Sequence, residues 1–365
     1  MGTRRDVLGG IGAGVVASAL GGSAQAAAPK RKLGYAVVGL GSYAVNQIMP
    51  RIRDCEFAEL KALVSGTPAK LEKYGAQYGI PKTHWYNYQT YDRIRDNPDI
   101  DMVYVILPNS LHAEYSIRAS QAGKHVLCEK PMATSVAECQ AMIAAAKKAG
   151  KKLMIGYRSR FEPYNLKAIE TVKSGALGKP TLIFAEHGFP ISPNQWRLDK
   201  PLSGGGSLMD IGIYSLNAAR YLAGAEPLEV SAMEATDRSD PRFKTVEDRI
   251  DFQLRFPNQL IANCVSSYSS AHNAYRVTGS KGWVGLDPAT PYEGQQMWTR
   301  IGGKTQQVEL PQPAKNQFVG MLDHLPECIA SGREPIVAGE EGLRDMRLIE
   351  AIYRSAREHR AITLA

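Results

Sequence analysis

Six consecutive residues, Gly39-Leu40-Gly41-Ser42-Tyr43-Ala44, have the spacing of a phosphate-binding turn. In a GxGxxA pattern the first glycine permits a tight turn and the second lets backbone approach a pyrophosphate. The alanine allows the following helix to pack closely on its strand. Ser42 and Tyr43 sit where the helix N-terminus offers free N–H groups to phosphate. The chemistry implied is that of a dinucleotide. Ser65-Gly66-Thr67, with Lys70 beyond, then selects which one. An NAD site places a carboxylate here for the ribose 2′-hydroxyl, whereas a hydroxyl and an ammonium suit a 2′-phosphate. NADP is the expected cofactor, with Ser65 and Lys70 among its ligands. Further along, Asp210 and Tyr214 are four residues apart on a predicted helix and so share one of its faces.

These residues need a scaffold, and the pattern from Leu33 to about Gly150 supplies one. Short apolar runs alternate with helical segments, as parallel βα units do. Strands are expected at Leu33–Val38, Glu59–Ser65, Met102–Leu107 and Lys124–Cys128, and a helix over Val136–Ala149 begins with a Ser135/Glu138 capping box. Leu107-Pro108-Asn109 and Glu129-Lys130-Pro131 then fall at the carboxyl ends of strands, the edge where open α/β sheets bind ligands. His112, just beyond, is expected as a hydrogen-bonding residue near the cofactor.

From Leu153 the character changes. One more strand, a helix and a strand at Thr181–Glu186 lead into a loop over 187–206, then a helix from about Leu208 to Leu222. Period-two segments follow at Leu228–Ala235, Asp248–Phe256, Gln259–Tyr268 and Tyr275–Thr278, and two helices close the chain. Such alternation predicts a large, mostly antiparallel, open-faced sheet with helices on one side. The fold class is therefore α/β: a Rossmann dinucleotide-binding domain over 31–152 and an α+β domain for substrate and oligomerisation over 153–365.

The N-terminus adds a destination. Arg4-Arg5, a weakly apolar run from Val7 to Leu20 and Ala24-Gln25-Ala26 compose a twin-arginine signal peptide over 1–26. That run, ~14 residues, is shorter than the ~20 a bilayer span needs, so no membrane anchor is expected. The reading is an exported, periplasmic enzyme handled by the twin-arginine machinery as a folded protein, its cofactor carried inside it. The net charge of +8 is scattered rather than clustered, which argues against nucleic acid as a partner. Five widely spaced cysteines without a CxxC, and seven histidines without an HxH or HExxH, predict neither metal nor disulfide framework.

Taken with the GxGxxA turn, Glu129-Lys130-Pro131 and Pro108-Asn109-Ser110-Leu111-His112 resemble the glucose–fructose oxidoreductase/inositol dehydrogenase (Gfo/Idh/MocA) superfamily. The runs CEKPMATSVAEC (128–139), KKLMIGYR (151–158), QWRL (195–198) and GGGSLMDIGIY (204–214) look like its periplasmic glucose–fructose and aldose–aldose branch. The resemblance implies Tyr214 as general acid/base, Asp210 as its orienting partner and Lys130 as the adjacent cation. A free tyrosine has a pKa of ~10, and a nearby ammonium lowers it toward useful range. It also sets Lys130, Arg158 and Trp196 beside Asp210 and Tyr214 against the sugar. Glu129, Lys130, Arg158, Trp196 and Arg197 join the residues expected at the cofactor.

The implied reaction oxidises an aldose at C1 to the aldonolactone and reduces a second sugar, aldose or ketose, to the alditol. It runs by ping-pong hydride transfer with NADP(H) tightly bound. Three rivals stay open: an NAD(P)-dependent glycoside hydrolase, a plain aldose dehydrogenase with exchangeable NADP, and a non-catalytic NADP sensor. Only about six residues, Ala27 to Lys32, separate the signal from the first strand, where glucose–fructose enzymes carry a longer arm. A homodimer through the second domain's sheet is thus expected, with a tetramer as the alternative.

Overall fold

The computed structural model describes residues 31–311 and 316–364, so the expected signal segment lies outside the described residues. Six strands form the first sheet: β1 (Leu33–Val38), β2 (Ala58–Val64), β3 (Trp85–Tyr86), β4 (Met102–Val105), β5 (His125–Cys128) and β6 (Leu153–Ile155). Their order is β3-β2-β1-β4-β5-β6, and every neighbouring pair is parallel. The central strands are buried because helices cover both faces, which is why they read as unbroken apolar runs. Strand order reverses between β1 and β4. At that switch point the turns after β1, β4 and β5 lie side by side above the carboxyl edge.

The second sheet holds nine strands: β7 (Pro180–Gly188), β8 (Glu229–Ala235), β9 (Arg249–Arg255), β10 (Ile261–Ser267), β11 (His272–Gly279), β12 (Gly282–Leu286), β13 (Met297–Ile301), β14 (Lys304–Val308) and β15 (Ile362–Thr363). All pairs are antiparallel except β7 with β10. Alternation decides its two faces. Ile183, Ala185 and His187 point into the core, while Phe184, Met233 and Ile261 stand exposed on the other side.

Two expectations need correction. The strand at Leu153 pairs with β5, so the first domain's sheet extends past the boundary set at 152. The chain also returns to that domain at its end. Tyr35 OH donates to the Leu322 carbonyl (3.1 Å), and Asp323 accepts from the N–H groups of Glu56 (3.0 Å) and Phe57 (2.9 Å). The stretch 153–365 is therefore not one separate unit. Its last helix, Gly339–Glu358, is tied to the helix Ile213–Ala223 by a buried Arg220–Asp345 ion pair at 2.6 Å. Removing one partner of such a pair costs ~3–5 kcal/mol, so this brace fixes the helix that carries Tyr214.

The caps explain where the helices start. Ser135 Oγ accepts from the Glu138 N–H (3.2 Å), as its sequence position predicts. Glu138 closes back on the Thr134 N–H and hydroxyl rather than on Ser135 itself.

Candidate active site

At the glycine-rich turn the two glycines do different work. A Cβ on Gly39, whose φ is +93°, would sit 2.2 Å from the Ile106 carbonyl oxygen and 2.9 Å from Leu107. A Cβ on Gly41 would meet nothing within 4 Å. Gly39 thus permits the close approach of β1 to the turn after β4, and Gly41 keeps an open face above the helix start. That open, backbone-lined face beside exposed Ser42 fits a pyrophosphate. Lys70 is exposed and donates to the Leu40 carbonyl (3.0 Å), which fixes its ammonium beside the turn. No carboxylate stands in the Ser65–Lys70 stretch. Ser65 itself is buried and accepts from the Thr67 N–H (3.2 Å), so it shapes the turn and leaves Thr67 and Lys70 outermost.

The turns after β4 and β5 are locked together through His112. Its Nδ1 faces the Pro131 carbonyl (2.8 Å) and its Nε2 the Leu107 carbonyl (2.9 Å). Burial pushes its pKa down, against the pull of those carbonyls. Both ring nitrogens face main-chain carbonyls, the structural hydrogen-bonding role expected of this residue. Asn109 reaches across to the second domain, donating to the Ser203 carbonyl (2.8 Å). Glu129 is buried, bonded by Tyr104 and by the Lys130 N–H (3.2 Å), with Tyr43 as a further donor. Burial pushes its pKa up, partly offset by Tyr104 and Lys130. Glu129 therefore braces the Lys130 turn from inside. Tyr43 packs at 6.1 Å from Phe318 and 6.2 Å from Tyr292, ring centre to ring centre.

The helix expected from Leu208 begins as a π-turn, Leu208–Gly212, before continuing as Ile213–Ala223. Widened turns of this kind re-aim side chains and carbonyls. Here Lys130 Nζ donates to the Asp210 main-chain oxygen (2.5 Å) and to Oδ1 (3.3 Å). Oδ2 accepts from Arg197 Nε (2.9 Å) and Tyr268 OH (3.0 Å). Burial pushes the Asp210 pKa up, but Lys130 and Arg197 outweigh it and hold the group at about 2. Asp210 is thus a permanent carboxylate, and its partners are two cations and Tyr268. The expected pairing with Tyr214 is replaced by one with Lys130 and Arg197.

Tyr214 is half-buried with two cations beside its ring: Lys130 Nζ at 5.0 Å from the ring centre and the Arg158 guanidinium at 5.1 Å. Arg158 is held by Gln317 (2.7 Å) and by the carbonyls of Thr290 (2.7 Å) and Pro291 (3.3 Å). Trp196 is half-buried at the rim, with the Arg197 guanidinium 4.6 Å over its ring. An indole presented this way can cover the apolar face of a pyranose.

Tyr268, His187 and Glu247 escaped the sequence reading. Tyr268 lies just past the end of β10 and reads there as an ordinary strand residue, while His187, within the last residues of β7, reads as the start of the loop. His187 lies 5.8 Å from Tyr214, ring to ring, and bonds Ser215 (2.9 Å). Burial, then Arg158, holds its pKa at about 3, so it is neutral. Glu247 accepts from the N–H groups of Gly206 (2.8 Å) and Leu208 (3.0 Å) and from Tyr353 OH (2.8 Å). It pins the loop from which the π-turn starts. Among the described residues no group of three His, Cys, Asp or Glu side chains could hold a metal.

Residues 33–157 match the oxidoreductase family with an NAD-binding Rossmann fold, and residues 165–285 match the GFO/IDH/MocA C-terminal domain. The chain belongs to the Gfo/Idh/MocA oxidoreductase family. It is similar to the aldose–aldose oxidoreductase of Caulobacter crescentus, solved with glycerol. The two share 63% identity at a TM-score of 0.90, over 92% of this chain and 100% of that one. The D-xylose 1-dehydrogenase [NADP(+)] of Haloarcula marismortui is 30% identical over 338 residues, 90% of this chain and 92% of its own length. A 3-ketoreductase from Actinomadura kijaniata, solved with NADP and TDP-benzene, is 25% identical with a TM-score of 0.79, over 89% of this chain and 98% of that one. The expected family and the expected two-sheet fold are both borne out. The chain is an oxidoreductase.

Proposed function

We propose that this oxidoreductase is an exported sugar enzyme that keeps NADP(H) bound and cycles it between two sugars. It oxidises an aldopyranose at C1 to the aldonolactone, then reduces the carbonyl of a second sugar to the alditol in the same site. The observation that carries the reading is the convergence of Lys130, Asp210 and Tyr214 at the carboxyl edge of the parallel sheet. The 63% identity to an aldose–aldose oxidoreductase supports the choice of substrates. Arg4-Arg5 and the A-x-A site support export through the twin-arginine route to the periplasm. The exposed Phe184, Met233 and Ile261 support a homodimer through the second sheet.

NADP, when bound, supplies the hydride acceptor and donor. Tyr214 takes the C1 hydroxyl proton in the first half-reaction and returns a proton in the second. Lys130 and Arg158 flank its ring, each placing positive charge about 5 Å from the ring centre. Asp210 orients Lys130 and Arg197, and Trp196 carries the sugar's apolar face. Ser42 and the Gly39–Gly41 backbone hold the pyrophosphate, and Lys70 with Thr67 holds the 2′-phosphate.

Protein purified after export is expected to carry nucleotide visible by absorbance, and to convert paired sugars without added cofactor. Initial rates against both sugars should give parallel double-reciprocal lines. An absolute requirement for added NADP would overturn the closed cycle. It would favour a plain NADP-dependent dehydrogenase, the reading that likeness to the xylose dehydrogenase supports. Lys70→Glu is expected to weaken NADP binding about thirtyfold, ~2 kcal/mol, and to leave NAD binding within about twofold. Fluorescence titration of apo-protein checks this; equal losses for both nucleotides would remove Lys70 from the 2′-phosphate site.

A further inference from the structure

Behind the Lys130–Tyr214 pair lies a cavity between the helices Ile213–Ala223 and Pro163–Lys173 and strand β11. Lys130 and Tyr214 form part of its wall, together with Ser159, Arg160, Tyr221 and Tyr275. Four residues lining it carry a buried polar atom without a hydrogen-bond partner among the described residues: Tyr157 OH, Ser159 Oγ, Arg160 Nε and Tyr221 OH. The Arg160 guanidinium stacks 3.7 Å from the centre of the Tyr221 ring. This is an uneven distribution, because most buried polar atoms in a folded chain are paired. An orphan costs ~1–3 kcal/mol, so four on the residues around one space call for a common partner. The space admits a water molecule or two and is too small for a pyranose. Hydroxyl and guanidine groups both bond water, and two to four polar partners are what a resident water requires.

We propose that this cavity holds one or two resident waters, which link Tyr221, Arg160 and Ser159 to Lys130 and Tyr214 and relay the active-site proton. The inference rests on Tyr214 as the acid/base group. In the first half-reaction the sugar O–H bond breaks and its proton passes to the Tyr214 phenolate. The phenol shares that proton with the water cluster, and the same path returns it when the second sugar's carbonyl oxygen is protonated. The proton count closes over the two half-reactions, and no oxidant or reductant beyond NADP and the two sugars is needed.

Filling the cavity with hydrocarbon tests the relay. Ala218 lines the cavity and carries none of the proposed chemistry. Ala218→Leu, and separately Tyr221→Phe in case the larger side chain prevents folding, are compared with wild type as NADP-loaded protein. Single-turnover hydride transfer is followed in mixtures of light and heavy water. Wild type is expected to give a bowed proton inventory, the mark of several moving protons. The variants should give a straight one, with kcat lowered roughly tenfold and sugar KM within about twofold. Ordered water bonded to Tyr221 and Ser159 in a high-resolution crystal structure is the matching structural result. A dry cavity, or variants that keep wild-type kcat and a bowed inventory, would overturn the relay. Tyr214→Phe separates the two levels: if it is inactive while both cavity variants behave as wild type, only the relay fails. If it too is fully active, the acid/base reading fails with it.

Discussion

Tyr214→Phe is expected to lower kcat about 10³-fold while leaving sugar KM within about threefold. General acid–base catalysis contributes ~10²–10⁴ to rate, and the change deletes one hydroxyl without altering the ring. The ring packing against His187 and the flanking position of Lys130 do not need that hydroxyl, and Arg158 keeps its bonds to Gln317 and the Thr290 carbonyl without it. Binding of NADP should therefore be unchanged. Steady-state rates with saturating sugar, together with nucleotide stoichiometry, are the measurement. A variant that retains more than about a tenth of wild-type kcat would require another proton carrier.

Asp210→Asn should be damaging for a different reason. Its carboxylate compensates Lys130 at 3.3 Å and Arg197 at 2.9 Å, and only 16% of its side chain is exposed. Removing the negative charge leaves two cations facing each other without a counter-ion. A loss of about 2–4 kcal/mol in unfolding free energy and ~10²-fold in kcat is expected. The sign of the pH dependence follows from a pKa lowered from 3.8 to about 2. A carboxylate depressed in the folded state contributes its stability above the unfolded value. That contribution is lost as pH falls through the folded value. The gap between wild type and Asp210→Asn is therefore constant near neutrality, narrows below pH 3.8 and closes as pH passes about 2. Urea unfolding across that range measures it. A gap that stays constant down to pH 2 would show that the carboxylate's charge is not what stabilises the wild type.

The parallel sheet was legible because helices bury both its faces, leaving continuous apolar runs at Leu33–Val38 and Met102–Val105. The inner strands of the second sheet were legible for the opposite reason, since β9 and β10 each bury one face and alternate cleanly. The hairpin β13–β14 escaped notice: Lys304–Val308 is an edge strand of mostly exposed polar residues, and no core imposes a pattern on it. In the site, motifs located Lys130, Asp210 and Tyr214, but not who bonds whom. Four-residue spacing puts Asp210 and Tyr214 on one face of a regular helix. The π-turn changes that geometry and gives the Asp210 carboxylate to residues from 130, 197 and 268. Tyr268 could not be found by spacing, because its role arises only when the end of β10 is brought against the helix.

The Asn109–Ser203 bond and the Lys130–Asp210 pair together join the first sheet's carboxyl edge to the second domain. Under the proposed reading a bound nucleotide would lie beneath these two contacts, so its release would require both to part.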